Sequence, residues 1–227
     1  MCMNQLPIES APVQVIRTDE NFIRTHTGKK FWPLTPITEE ICVEDIAHAL
    51  SLICRFTGHC YCFYSVAEHS IRVSHAAQKI VLDQARKMLG LGLCRLKLTP
   101  DVLNLAREVA LWGLLHDASE AYLCDVPSPI KHASQIGQLY REHEATLMYA
   151  IVSRFDLMPH EPSVVKDADR ILLNTELRDL MTGASHCNPT LPDPIFPIDS
   201  NAAELEFLHR FHALDNARKA ERIAAAL

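Results

Sequence analysis

Apolar residues recur at steps of three and four along most of the chain after residue 40, and this spacing restricts the fold more than any other feature. Between 41 and 55 the residues at such steps include Val43, Ile46 and Leu50. Side chains spaced in this way lie on one face of an α-helix. After residue 40 no five-residue stretch alternates polar and apolar residues, as a half-buried strand would. The chain is therefore predicted to be all-α.

Six helices are predicted from this periodicity and from the residues that begin and end helices. Thr99 can cap the third helix, and Pro100 suits its first position. Gly58 and the later prolines separate the helices. The predicted ranges are 41–55, 65–85, 99 to before Pro127, 134–155, 163–182 and 201–226, with 90–98 and 188–197 as connections.

The first 40 residues differ from the rest of the chain. They contain several prolines and the turn-like Thr27-Gly28-Lys29, which predicts an extended N-terminal arm at 1–40 with a possible short hairpin. Residues 41–227 are predicted to form one helical bundle. The chain has 227 residues and is 48% apolar, which is enough to bury the core of a single domain.

The charge and composition of the chain limit the kinds of partner that we expect it to bind. A net charge of −6 leaves no broad cationic surface for nucleic acid. The first residues do not read as a signal peptide, and the apolar run Val109–Leu115 is too short to cross a bilayer. We therefore expect a cytoplasmic protein that binds neither nucleic acid nor membrane. The eight cysteines suit a reducing compartment. A zinc clip of Cys54, His59, Cys60 and Cys62 is disfavoured, because two to four residues usually separate paired zinc cysteines and only Tyr61 separates Cys60 from Cys62.

Metal-ligand residue types interrupt the apolar faces of three predicted helices. His69 is in phase with apolar residues of the second helix, Asp117 with those of the third, and Asp169 with those of the fifth, while His116 stands beside Asp117. A buried carboxylate without a partner costs several kcal/mol, so it neutralises or finds a cation. One divalent ion shared by two carboxylates and two imidazoles would offset that cost, and these donors suit a first-row metal.

A single histidine on an apolar face is more often a hydrogen-bonded core residue than a ligand. The chain has twelve histidines, and we interpret His48, His75, His143 and His209 as structural or surface residues. The order of the pattern is what favours a metal site. A helical His is followed by a helical His-Asp pair and then by a helical Asp some fifty residues later.

Three segments carry a resemblance to a known family. They are Val66-Ala67-Glu68-His69-Ser70, the block from Leu114 through His116-Asp117-Ala118-Ser119-Glu120 to Lys131, and Val164-Val165-Lys166-Asp167-Ala168-Asp169. Together they resemble the HD-domain superfamily of metal-dependent phosphohydrolases. The resemblance is closest to the 5′-deoxynucleotidases and to phage HD-domain dATP triphosphohydrolases, and it spans about residues 41–182.

The resemblance implies an all-α HD-domain bundle that holds one divalent metal ion through His69, His116, Asp117 and Asp169. It leaves Mn, Co, Fe, Ni, Mg and Zn as alternatives for the ion. It also implies a homo-oligomer whose small-molecule substrate is a nucleotide.

Further roles follow from the same resemblance. Glu120 matches the catalytic residue beside the attacking water, and Asp125 the residue that contacts the sugar 3′-hydroxyl. Arg55 matches a phosphate-binding arginine, and Phe56 replaces a tryptophan of that branch. Lys131 would add positive charge near a phosphate.

The implied reaction is hydrolysis of the 5′ phosphoester of a 2′-deoxynucleotide by attack at the α-phosphate. The segment 56–62 differs from the deoxynucleotidase version, which leaves the base and the number of phosphates open. The sharper expectations are a dATP triphosphohydrolase or a deoxynucleoside monophosphate 5′-nucleotidase. Two alternatives are a hydrolase of signalling nucleotides such as ppGpp and a non-catalytic regulatory module.

Overall fold

The computed structural model describes residues 16–88, 98–183 and 188–225, and within them the protein is all-α apart from one small hairpin. This confirms the predicted fold class. The predicted connection 90–98 lies outside the described residues except for its last position. The helices are α1 Val43–Leu52, α2 Val66–Met88, α3 Pro100–Leu115, α4 Glu120–Leu123, α5 Ser128–Ala133, α6 Gln135–Arg154, α7 Ser163–Leu180 and α8 Ser200–Ala225.

The hairpin precedes the helices and is anchored by one aromatic side chain. Strands β1 (Ile23–Arg24) and β2 (Lys30–Phe31) are antiparallel, with Ile23 opposite Phe31. Gly28 turns the chain between them at φ +83°, a conformation that only glycine adopts without strain. Phe31 is fully buried and stacks on Tyr122 of α4 with ring centroids 4.2 Å apart. The hairpin is therefore fixed against the bundle.

Helix α2 lies at the centre of the bundle, where it packs against α1, α3, α7 and α8. Its crossing with α3 is close because α3 carries a glycine there. A Cβ atom at Gly113 would lie 3.2 Å from the Cα of Ser74. The Ser74 hydroxyl donates a 2.7 Å hydrogen bond to the Ala110 carbonyl at the same crossing. Two elements that carry candidate site residues are thus held at a short distance.

Helix α1 ends at Leu52, three residues before the predicted end. Ile53 and Cys54 are extended, and Cys54 forms an isolated antiparallel bridge with Ser65. The Val66 N–H donates to the Ile53 carbonyl at 3.0 Å, and the Arg55 N–H donates to the Tyr64 carbonyl at 2.9 Å. The apolar spacing continued through this stretch, but the backbone pairs with the chain that enters α2 instead of extending the helix.

The predicted third helix is divided in two. It was expected to run from Thr99 towards Pro127, but α3 ends at Leu115 and α4 covers only Glu120–Leu123. Between them the Ala118 N–H bonds the Leu115 carbonyl and the Glu120 N–H bonds the Asp117 carbonyl, which are tighter turns than those of an α-helix. The start is as predicted, with the Thr99 hydroxyl accepting from the Val102 N–H. None of the helices in the described ranges combines the length and apolarity that a bilayer crossing requires.

Candidate functional site

The structure brings together the four side chains that the sequence suggests as metal ligands. His69 Nε2 lies 3.1 Å from Asp169 Oδ1 and 3.8 Å from Asp117 Oδ2. His116 Nε2 lies 3.3 Å from Asp117 Oδ2, and the two imidazole centroids are 5.3 Å apart. His69 comes from α2, Asp169 from α7, and the His116-Asp117 pair from the turn after α3. Residues distant along the chain therefore meet at one end of the bundle.

Both histidines present one nitrogen to this cluster. The second nitrogen, Nδ1, is bound elsewhere. His69 Nδ1 lies 2.6 Å from Glu176 Oε1, and His116 Nδ1 donates to the Gly113 carbonyl at 2.8 Å. Within the described residues, the Nε2 atoms of both histidines are buried and have no hydrogen-bond partner. A neutral imidazole bonded through Nδ1–H carries its lone pair on Nε2, so both rings are oriented as metal ligands require. These residues fit a divalent cation.

Glu176 is a site residue that sequence reasoning missed. Its fully buried carboxylate accepts from His69, from the Tyr64 hydroxyl at 2.9 Å and from the Arg55 guanidinium, whose Nη2 lies 3.1 Å away. A signal was available, because Glu176 follows Asp169 by seven residues and two helical turns return a side chain to the same face. Glu176 therefore fixes the tautomer of one candidate ligand and the position of Arg55.

Negatively charged side chains outnumber positively charged ones around the cluster of candidate metal ligands. Five carboxylates lie in or next to the cluster, and they belong to Asp117, Glu120, Asp125, Asp169 and Glu176. Arg55 contacts Asp117 and Glu176, and Lys131 contacts Glu120. Burial raises the pKa of Asp169, but the contact with His69 outweighs it, and the pKa falls well below its usual value. Burial and Arg55 lower the pKa of His69, while Glu176 and Asp169 raise it, with a net rise to about 9. The excess of carboxylates over cationic side chains therefore favours a bound cation.

Glu120 lies at the edge of the cluster and is almost fully buried. Its Oε1 accepts from Lys131 Nζ at 3.2 Å, and its Oε2 has no hydrogen-bond partner in the described part of the chain. Burial raises the pKa of Glu120, and the nearby charges of Asp117 and Asp125 raise it further. Although Glu120 begins α4 instead of continuing α3, the tight turn keeps it beside Asp117. It is placed to exchange a proton with a molecule bound at the cluster.

A cavity of about 420 Å³ opens beside the cluster and collects the candidate substrate-binding residues. Its lining includes Arg55, Phe56, Asp125 and Lys131, together with Glu120. Arg55 is mostly buried, lies 3.7 Å from Asp117, and stacks against the Phe56 ring at 5.4 Å. Phe56 has a backbone φ of +55°, which is a strained conformation for a residue other than glycine. This turn after α1 determines the direction of the Phe56 ring.

A second cavity, of about 640 Å³, lies on the α6 side of the same cluster. Asp117, Asp169 and Lys131 line both cavities. The second also contains Arg141 and Lys166. Space is therefore present on both sides of the candidate metal ligands, and cationic side chains line each part.

The disfavoured cysteine clip does not form a metal-binding group. Cys54 Sγ and Cys60 Sγ lie 3.6 Å apart, but Cys62 is exposed. Across residues 16–88, 98–183 and 188–225, two groups have three ligand atoms within 4.8 Å of one another. They are His69-His116-Asp117 and His26-His48-Glu204.

Comparison with known proteins places the chain among bacterial relatives. No family model matches it. It is 32% identical to the uncharacterised protein YfdR of Escherichia coli K12 over 206 residues, which cover 88% of this chain and 98% of YfdR.

Proteins named 5′-deoxynucleotidase match over shorter stretches. The Vibrio atlanticus protein is 28% identical over 138 residues, which cover 54% of this chain and 65% of that protein. The YfbR protein of Salmonella newport is 34% identical over 98 residues, which cover 43% of this chain and 42% of YfbR. The chain thus spans less than two thirds of either deoxynucleotidase. The similarity to YfdR, which extends over most of both chains, shows that this chain belongs to the YfdR family.

Proposed function

We propose that the protein is a metal-dependent phosphohydrolase of the HD superfamily that cleaves the 5′ phosphoester of 2′-deoxynucleotides. One observation carries the proposal. Within the described residues, two buried imidazole nitrogens have no hydrogen-bond partner and face two carboxylates beside a cavity. The partial similarity to proteins named 5′-deoxynucleotidase supports the same substrate class.

His69, His116, Asp117 and Asp169 would hold the metal. When bound, a divalent ion lowers the pKa of a coordinated water and neutralises phosphoryl oxygens. The remaining tasks fall to the side chains of the cavity. Glu120 orients the attacking water and takes one of its protons.

Arg55 binds the substrate phosphate and offsets the negative charge that moves onto the leaving oxygen. Its guanidinium is held in place by Glu176 and Asp117, so little ordering is needed when the substrate arrives. The water attacks phosphorus in line, the bond to the 5′ oxygen breaks, and that oxygen takes up a proton from solvent and leaves as the hydroxyl of the nucleoside. Lys131 adds positive charge on the same side.

Asp125 and Phe56 are proposed to recognise the nucleoside. The Asp125 carboxylate accepts a hydrogen bond from the sugar 3′-hydroxyl, where a 2′-hydroxyl would crowd it. The Phe56 ring provides a stacking surface for the sugar or base. Both residues line the 420 Å³ cavity that contains Glu120.

The finer proposal is a deoxynucleoside triphosphate substrate, with dATP tested first because of the resemblance to phage dATP triphosphohydrolases. The second cavity supports the longer phosphate chain. It shares Lys131 with the first cavity and adds Arg141 and Lys166. Further phosphates would replace Glu144 and Glu161 as partners of Lys131 and Lys166. A deoxynucleoside monophosphate is the alternative, because attack at the α-phosphate serves both substrates.

A substrate panel with Mn²⁺ or Co²⁺ tests the proposal. It contains dATP, ATP, dAMP, AMP and ppGpp, with phosphate and triphosphate release measured separately. We expect deoxyadenosine and triphosphate from dATP, and slower turnover of ATP. Hydrolysis of ppGpp alone would replace this function by the signalling-nucleotide alternative. Turnover of none of these compounds by protein that contains metal would favour a non-catalytic module.

A matched pair of variants links activity to the cluster. Asp169→Ala removes a candidate ligand, whereas Asp167→Ala removes an exposed carboxylate of the same helix that pairs with Arg170 at 2.6 Å. We expect Asp169→Ala to lose metal and turnover while Asp167→Ala keeps both. Equal activity of the two variants would contradict the assignment of Asp169.

A further inference from the structure

A second group of metal-ligand side chains lies away from the cluster, between the N-terminal hairpin and the C-terminal helix. His26 belongs to the hairpin turn, His48 to α1 and Glu204 to α8. His48 Nδ1 lies 3.0 Å from Glu204 Oε2, and the two imidazole rings stack with centroids 3.6 Å apart. One ligand atom from each of the three residues lies within 4.8 Å of the other two. We propose that His26, His48 and Glu204 bind a second divalent cation of the zinc type, which fastens the hairpin to the helical bundle.

The distances suit such an ion once the exposed His26 side chain changes its rotamer. Zinc binds imidazole nitrogen and carboxylate oxygen at about 2.0–2.2 Å, so tetrahedral ligand atoms stand roughly 3.4 Å apart. The pair His48-Glu204 is already closer than this. The two rings are stacked with planes 21° apart, whereas an ion lies close to the plane of each imidazole that binds it, so the exposed His26 ring must rotate out of the stack to bring its nitrogen to the ion.

The surroundings provide access and a fixed frame. His48 and Glu204 are partly exposed, at 31% and 24% of their side chains, so an ion reaches them from solvent. The hairpin turn is held independently, because Asp45 of α1 accepts from the Thr27 N–H at 2.7 Å. Two imidazoles and one carboxylate leave a fourth position for water, and this donor set favours zinc, cobalt or nickel over magnesium.

The position of His26, His48 and Glu204 indicates a structural role for the ion. The three ligands join segments that are 22 and 156 residues apart along the chain. The hairpin carries Phe31, which stacks on Tyr122 two residues after Glu120. An ion at His26-His48-Glu204 therefore stabilises the contact between the hairpin and the segment behind the candidate active site.

Metal counting on purified full-length protein tests this site separately from the first one. The probe is Zn²⁺ alone, and the wild type should bind about two equivalents per chain by equilibrium dialysis. His26→Ala should bind one fewer, and it keeps the fold because this side chain is exposed. His48→Gln should also bind one fewer. The control His209→Ala removes an exposed histidine of α8 and should match the wild type.

A variant without the first site separates the two proposals. Asp117→Ala should still bind one Zn²⁺, and combining it with His26→Ala should abolish that remaining binding. Zn²⁺ should also slow trypsin cleavage at Arg24, Lys29 and Lys30 of the hairpin in Asp117→Ala, and not in the double variant. Wild-type stoichiometry in both His26→Ala and His48→Gln would overturn the second site, whatever the result for the first.

Discussion

Replacement of Glu176 by glutamine tests the electrostatic core of the candidate site. The carboxylate accepts from Tyr64, His69 and Arg55, and Glu176, Tyr64 and His69 are fully buried. The amide keeps the shape but loses the charge and turns one acceptor oxygen into a donor that faces other donors. Removing one partner of a buried ion pair costs about 3–5 kcal/mol. Arg55 retains Asp117 at 3.7 Å, so we expect the lower end, about 3 kcal/mol.

The free energy of unfolding, measured by urea titration of metal-free protein, gives this loss directly. The affinity for Co²⁺, followed by visible absorption, should fall about 10–100-fold, because the residue that orients His69, a candidate metal ligand, is altered. The control Asp167→Asn makes the same chemical change on an exposed carboxylate of α7 and should cost no more than about 1 kcal/mol. If Glu176→Gln matched this control in both measurements, the account of the buried network would be refuted.

Three further changes test individual residues. Glu120→Gln should keep Co²⁺ binding but slow turnover about 10²–10⁴-fold, measured under single-turnover conditions; near-normal rates would exclude Glu120 as the base. Asp125→Asn should reduce the preference for dATP over ATP in kcat/KM, and an unchanged ratio would contradict sugar recognition by this residue. Burial raises the pKa of Asp215, but hydrogen bonds from Lys219 and Arg218 outweigh it and lower the pKa below 3.8. The ionised form therefore stabilises the fold above that pH, so Asp215→Asn should cost about 1–3 kcal/mol near pH 7, and the difference in urea titrations should vanish as the pH falls through the folded-state pKa.

The sequence predicted the helices better than it predicted their ends. Apolar spacing located α2, α6, α7 and α8 within a few residues, because long amphipathic helices repeat the signal many times. It extended α1 through Ile53 and Cys54, where pairing with the strand-like residues before α2 prevails. Such pairing depends on residues eleven or more positions away, which a local pattern does not contain.

Likewise, only some residues of the candidate site could be predicted from the sequence. His69, His116, Asp117 and Asp169 each fell on an apolar face or beside one, so the sequence alone could bring them into a single hypothesis. Glu176 was overlooked because a glutamate late in a helix usually reaches solvent, and only the tertiary structure shows its burial against Tyr64. His48 was interpreted as structural or surface, and its proximity to His26 and Glu204 requires the fold.

The glycine at the crossing of α2 and α3 affects more than packing. His69 lies five residues before Ser74 on one helix, and His116 lies three residues after Gly113 on the other. The distance between the two imidazoles therefore depends on how closely the two helix backbones approach. Gly113 allows the closest approach because its side chain is a single hydrogen atom. A methyl group at position 113 would push the two helices apart and increase the distance between the imidazoles of His69 and His116. The size of ion that the proposed site would accept is thus partly determined by a residue that lies outside the candidate ligand set.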